Sequence, residues 1–180
     1  MALTELNTYT INDVYNLPDG QRAELIDGKV FYMAPTTRNH QRIVGELFAT
    51  IREHIRRNNF KGEVDINPFG VFINADDKNY VEPDICIICD ENKLDDRGCN
   101  GAPDWIIEVV SPASRRIDYT TKLFKYRSAG VREYWIVDAE KTRVMVYNFY
   151  HDDMNEYSFT EDIPAGIYTD LSIRMSNLEL

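Results

Sequence analysis

The stretch APDWIIEVVSPASRRIDYTTKLFKYRSAGVREYWIVD, Ala102 to Asp138, decides the fold. It opens on an almost uninterrupted apolar run, Trp105 to Val110, short and β-branched enough to form a central strand buried on both faces. Glu108 alone breaks that run. An ionised carboxylate inside such a strand is costly unless it is paired or holds a metal, so its presence needs a chemical reason. Pro112 ends the strand. From Ser114 to Ala129 the spacing turns helical, and Gly130 stands where a helix terminus favours positive φ. Arg132 to Asp138 is a second strand, so the whole stretch makes a βαβ crossover between two parallel strands.

Upstream, Thr10 to Leu17 reads as a short helix stopped by Pro18-Asp19-Gly20. AELIDGKVFYM reads as two strands joined at Asp27-Gly28, a strong hairpin signal, with Glu24 on the first arm. The most regular helix runs from His40 to Arg57, where Ile43, Leu47, Ile51 and Ile55 form one i, i+4 row. Two short strands follow, Glu63 to Ile66 and Gly70 to Ile73, readable together as one strand bent about Asn67-Pro68. A third runs from Tyr80 to Cys89, and alternation puts Glu82, Asp84 and Cys86 on one of its faces. Asp90 to Gly101 is expected to be a polar loop. Downstream, Thr142 to Tyr150 pairs antiparallel with Arg132 to Asp138, and His151 to Leu180 reads as loop, a short strand pair near Ile163 to Ile167, and a tail.

With 43% hydrophobic and 28% charged residues, the chain of 180 residues suits one domain, residues 1–180, with a substantial core. No apolar run is long enough to span a bilayer, and MALTELNTY lacks the basic-then-hydrophobic pattern of a leader. The expectation is a soluble cytoplasmic protein with no membrane partner. Cys86, Cys89 and Cys99 are an odd count and should be reduced thiols. Cys86-x-x-Cys89 invites a zinc reading, but positions three apart on a strand face opposite sides, and a fourth ligand is missing. The net charge of −10 argues against a broad non-specific nucleic-acid surface and leaves room only for a small local basic patch.

From His40 to Asp138 the order is helix, three or four strands, helix, strand, with acidic residues at Asp84 and Glu108 on successive strands. That order, with the motifs VEPDI, PDWIIEVVSPAS, D-Y-T-T-K, YRSAGVREYWIVD and AELIDGK, resembles the Uma-two family of putative restriction endonucleases, a branch of the PD-(D/E)XK phosphodiesterase superfamily. The likeness spans Thr8 to Tyr150. It implies an α/β (α+β), restriction-endonuclease-like core in αβββαβ order, a mixed central sheet flanked by helices, with an N-terminal hairpin and a C-terminal β extension. It further implies a magnesium-dependent nuclease in which Asp84 is the motif aspartate, Glu108 the motif acid, Lys122 the lysine and Glu24 an additional acid. One departure matters. The superfamily's lysine lies two residues after the acid, where this chain has Val110, so the lysine has moved to the following helix. There Asp118, Lys122 and Lys125 share one stripe, and Tyr119, Leu123 and Tyr126 another.

Such a site needs oxygen ligands, because Mg²⁺ is held by one or two carboxylates with waters and phosphate. Asp84 and Glu108 supply carboxylates and Val109 its backbone carbonyl, with Mn²⁺ able to substitute. Lys122 would orient water or stabilise developing charge, its pKa lowered by burial. Glu24 would complete the metal shell or hold Lys122, while His40 and Asp118 would support these groups from behind. Arg115 and Arg116 are the candidates for phosphate contact. The expected partners are nucleic acid, DNA foremost, and a second copy of the chain for cutting two strands. Structural alternatives stand beside these roles: Glu108 as an ion pair with Lys122 or an arginine, Asp84 as a strand start, His40 as a helix opener, the arginines as solvated charge. The competing function is a non-catalytic module of the same fold that binds protein or nucleic acid.

Overall fold

In the computed structural model, which describes residues 8–179, the βαβ crossover lies in the middle of a six-stranded mixed sheet. The amino-terminal reading falls mostly on residues 1–7, and the tail reading ends on residue 180; both lie outside the described residues. In chain order the elements are α1 (Ile11–Tyr15), β1 (Ala23–Ile26), β2 (Lys29–Tyr32), α2 (Arg38–Asn58), β3 (Glu63–Ile66), β4 (Val71–Phe72) and β5 (Ile85–Ile88). Then come β6 (Leu94–Asp95), β7 (Gly98–Asn100) and β8 (Trp105–Val109). The crossover helix has three parts: α3 (Arg115–Ile117), a π-helical turn (Asp118–Lys122) and α4 (Leu123–Ala129). β9 (Glu133–Asp138), β10 (Arg143–Asn148), β11 (Asp153–Ser158), β12 (Ile163–Pro164) and β13 (Ser172–Ile173) follow.

The central sheet runs β11-β10-β9-β8-β5-β3. Only β8 and β9, the strands joined by the crossover helix, pair parallel; the rest are antiparallel. Alternation along β8 divides the core. Trp105, Ile107 and Val109 pack with Ile43, Leu47 and Ile51 of α2, whereas Ile106 and Val110 pack with Tyr126, Tyr134 and Ile136 on the opposite face. Ile43, Leu47 and Ile51 are wholly buried, each contributing about 1.5–3 kcal/mol of apolar burial. The architecture is the expected mixed sheet flanked by helices. Among the described residues no helix is long and apolar enough to cross a membrane.

Several local expectations need correction. The segments Glu63–Ile66 and Val71–Phe72 are not one bent strand, because β4 leaves the central sheet and pairs parallel with β7 in a three-stranded sheet, β4-β7-β6. The supposed polar loop after Cys89 supplies two of those three strands. Gly98 makes their close packing possible: its φ is +139°, and a Cβ there would sit 2.0 Å from the Gly70 carbonyl oxygen. The strand expected from Tyr80 begins only at Ile85, since Pro83 has no N–H to offer a ladder. Asp153–Ser158, read as loop, is the edge strand of the central sheet, exposed along nearly its whole length and so lacking an apolar alternation. The crossover helix is interrupted by its π turn, which apolar periodicity did not reveal.

Candidate active site

Four parts of the chain bring acidic side chains to one buried place. Glu24 comes from β1, whose hairpin closes at Asp27-Gly28 with φ of 50° and 72°, the left-handed pair of a tight primed turn. Glu108 projects from β8 on the face that meets the crossover helix. Asp84 sits one residue before β5, and the β5–β8 register continued by one residue places it opposite Glu108. Asp118 opens the π turn that ends at Lys122, and that turn's wider pitch keeps both side chains buried against the sheet. Glu24, Glu108 and Lys122 are each 4% exposed and Asp118 1%.

Lys122 joins them. Its Nζ lies 2.9 Å from Glu24 Oε2, 2.8 Å from Glu108 Oε1 and 3.8 Å from Asp118 Oδ1. The Tyr126 hydroxyl, four residues on, donates to the same Glu108 oxygen at 2.8 Å. The Glu82 N–H donates to Glu24 Oε1 at 3.0 Å. Asp84 is held separately: its Oδ2 accepts from the Val109 N–H at 2.8 Å and lies 3.2 Å from His40 Nε2. His40 is placed by the start of α2, where Thr37 Oγ1 accepts its backbone N–H at 3.2 Å. The proposed face of Glu82, Asp84 and Cys86 does not act as one surface. Glu82 pairs with Arg22 and accepts from the Tyr80 hydroxyl, while Cys86 lies in the core.

Burial pushes the Glu24, Glu108 and Asp118 carboxyls up, strongly at Glu108, against the opposing pull of Lys122. Burial pulls Lys122 down, but Glu108, Glu24 and Asp118 outweigh it and hold the amine well above its ordinary value. The expectation of a lowered lysine pKa is therefore reversed: the surrounding carboxyls favour the ammonium form of Lys122. His40 is likewise pulled down by burial and carried above its ordinary value by the hydrogen bond and charge of Asp84.

Arg115 is committed to Asp138 and to Glu140, the latter at 2.7 Å, which leaves Arg116, exposed on the helix, as the cation of that pair open to solvent. Lys125 reaches Asp27 at the hairpin tip, 2.5 Å away. Asp104 accepts from the Cys89 N–H at 2.8 Å and pairs with Arg132 at 3.1 Å, a structural anchor. Cys86 and Cys99 share one core, whereas Cys89 packs on the other. The sequence places Tyr126 on the stripe with Tyr119 and Leu123, whereas its hydroxyl meets Glu108, a role that the four-residue spacing of Asp118, Lys122 and Tyr126 signals.

The acids border a cavity of about 270 Å³, lined also by Phe31, Tyr32, Met33, Pro35 and the turn Ser111 to Ser114. Asp118 Oδ1 is buried there without a hydrogen-bond partner. The donor set is all hard oxygen, and its four carboxylates exceed what Lys122 neutralises, so a divalent cation fits chemically. Among the described residues no three acidic, histidine or cysteine side chains converge on one cation position.

The fold is thus a mixed sheet flanked by helices, with carboxylates gathered from a hairpin and two neighbouring sheet segments around a lysine from the crossover helix. The chain belongs to the Uma2 family, described as putative restriction endonucleases, whose model matches residues 11–167. A crystal structure described as a putative nuclease from Anabaena variabilis ATCC 29413 superposes with a TM-score of 0.76 at 18% identity, covering 94% of this chain and 96% of that one. A search of curated proteins finds no match.

Proposed function

We propose that this protein is a divalent-cation-dependent nuclease that hydrolyses phosphodiester bonds of nucleic acid, DNA foremost, at the cluster of Glu24, Asp84, Glu108 and Lys122. The observation that carries the reading is one buried ammonium among four buried carboxyl groups beside a cavity, with one carboxyl oxygen that accepts no hydrogen bond. Asp84, Glu108 and the Val109 carbonyl would hold Mg²⁺, or Mn²⁺ in its place. The cation supplies Lewis-acid charge for the phosphate and acidifies water.

Hydrolysis joins a water oxygen to phosphorus and breaks one phosphorus–oxygen ester bond, the proton that the water loses passing to solvent and the departing alkoxide taking one from solvent. Lys122, held as an ammonium, serves as donor and positive charge for the phosphoryl oxygens rather than as a base. Glu24 and Tyr126 fix its position and that of Glu108. His40 holds Asp84 and, when protonated, offsets its charge.

The non-catalytic reading keeps one observation in its favour: Lys122 pairs with both Glu24 and Glu108, as a structural ion-pair network would. A calorimetric titration of Mn²⁺ separates the two. Wild type should bind and Glu108→Gln should not, and wild type should then cleave DNA only with the cation. Absence of both binding and cleavage in wild type would favour the scaffold.

A further inference from the structure

Whichever nucleic acid is cut must bring a phosphodiester down to side chains that are almost wholly buried. The route is a cavity of about 270 Å³, just under the usual range for small-molecule pockets of about 300–1,000 Å³. That is space on the order of one nucleotide. The wall is the wrong kind for gripping a duplex backbone. Glu24, Glu82, Asp84, Glu108 and Asp118 face Lys122 and His40, and among the described residues no arginine lines it. Lys122 is committed to Glu24 and Glu108, and nearby Arg22 is committed to Glu82. Duplex recognition draws much of its affinity from rows of cations on phosphates, and among the described residues the lining itself holds only Lys122 and His40 as cations.

Part of the lining is apolar: Phe31, Tyr32, Met33, Ala34 and Pro35, contributed by β2 and the loop after it. Tyr32 belongs to that lining and is 69% exposed, and among the described residues no aromatic ring packs on it. Aromatic faces of this kind hold unpaired bases regardless of sequence, and a base already out of the stack enters without the cost of extrusion.

Resting on the nuclease reading above, we infer that the substrate enters as an unpaired nucleotide, in single-stranded DNA or at an unpaired base, with its base against Tyr32 and the Phe31–Pro35 wall. Cutting a single strand also requires no second copy of the chain.

The test uses the full chain with Mn²⁺ and one fluorescein-labelled sequence in three forms: single-stranded, blunt duplex, and duplex with one unpaired base. Cleavage is read on denaturing gels and binding by anisotropy. The single strand should be cut at least about tenfold faster than the duplex, and the third form at its unpaired base. Tyr32→Ala should lower single-strand cleavage roughly tenfold, the value of one lost base stack. Its Mn²⁺ affinity by calorimetry should not change. Equal or faster cutting of the duplex, or unaltered single-strand cutting by Tyr32→Ala, overturns the inference while the nuclease reading stands. Mn²⁺ binding with turnover only of bis(p-nitrophenyl) phosphate overturns it in favour of a smaller phosphodiester. If wild type binds neither Mn²⁺ nor any DNA form, the inference and the nuclease reading fall together.

Discussion

Stripping water from the Lys122 ammonium costs several kcal/mol, and its contacts of 2.9 Å to Glu24 and 2.8 Å to Glu108 offset that cost only while both acids are ionised. Replacing Lys122 by methionine keeps the volume and leaves two carboxylates facing each other in the core. Lys122→Met should therefore lose about 3–5 kcal/mol in urea unfolding near pH 8. The loss should shrink as the pH falls, because burial already favours the protonated carboxyls. A loss independent of pH would mean that the acids are not ionised in the native protein. Tyr126→Phe is the gentler probe of the same oxygen. It removes one hydroxyl donated to Glu108, so the expected cost is about 1.5–3 kcal/mol, that of a hydrogen bond to a charged group. A near-neutral result would place the Glu108 charge elsewhere.

Elements with a strong period were legible from the chain alone. The apolar row of α2 matches the helix found from Arg38 to Asn58, and the apolar run around Glu108 matches a strand buried at every position. The hairpin at Asp27-Gly28 followed from turn chemistry. What escaped was whatever carries no period. β11 is polar throughout, and the π turn depends on how Asp118 and Lys122 meet the sheet, which local spacing does not encode. The site was legible as residue types, but the convergence of Tyr126 on Glu108 and the apolar wall at Tyr32 are products of packing. The β4-β7-β6 sheet was hidden for a different reason: it depends on a glycine whose neighbour is distant in sequence. Gly98→Ala tests that element. At φ +139° with Gly70 backbone 2.0 Å from the new methyl, it should cost well over about 1 kcal/mol. Thermal unfolding reads the loss, and an unchanged midpoint would show that β7 shifts at no cost.

At the scale of the molecule, the site tilts the whole stability curve with pH. Glu24, Glu108 and Asp118 are raised by burial above their ordinary values of 4.5, 4.5 and 3.8, so just above those values the folded chain holds protons that the unfolded chain has lost. Their stabilisation is full below the unfolded pKa values and fades as pH rises through the folded ones. His40, raised above 6.5 once Asp84 outweighs burial, fades in the same direction. Lys122, raised above 10.5, loses its own proton only at much higher pH. Without divalent cation the protein should thus be less stable at pH 8 than at pH 5.5. A cation bound by ionised carboxylates reverses the tilt, because binding competes with protons. At about a hundredfold excess over Kd it adds about 2.7 kcal/mol. Differential scanning fluorimetry with Mg²⁺ should show an upward shift that is larger at pH 8 than at pH 5.5 and absent in Glu108→Gln. A shift of equal size at both pH values, or one that survives in the variant, would assign the cation to the acidic surface and not to the buried cluster.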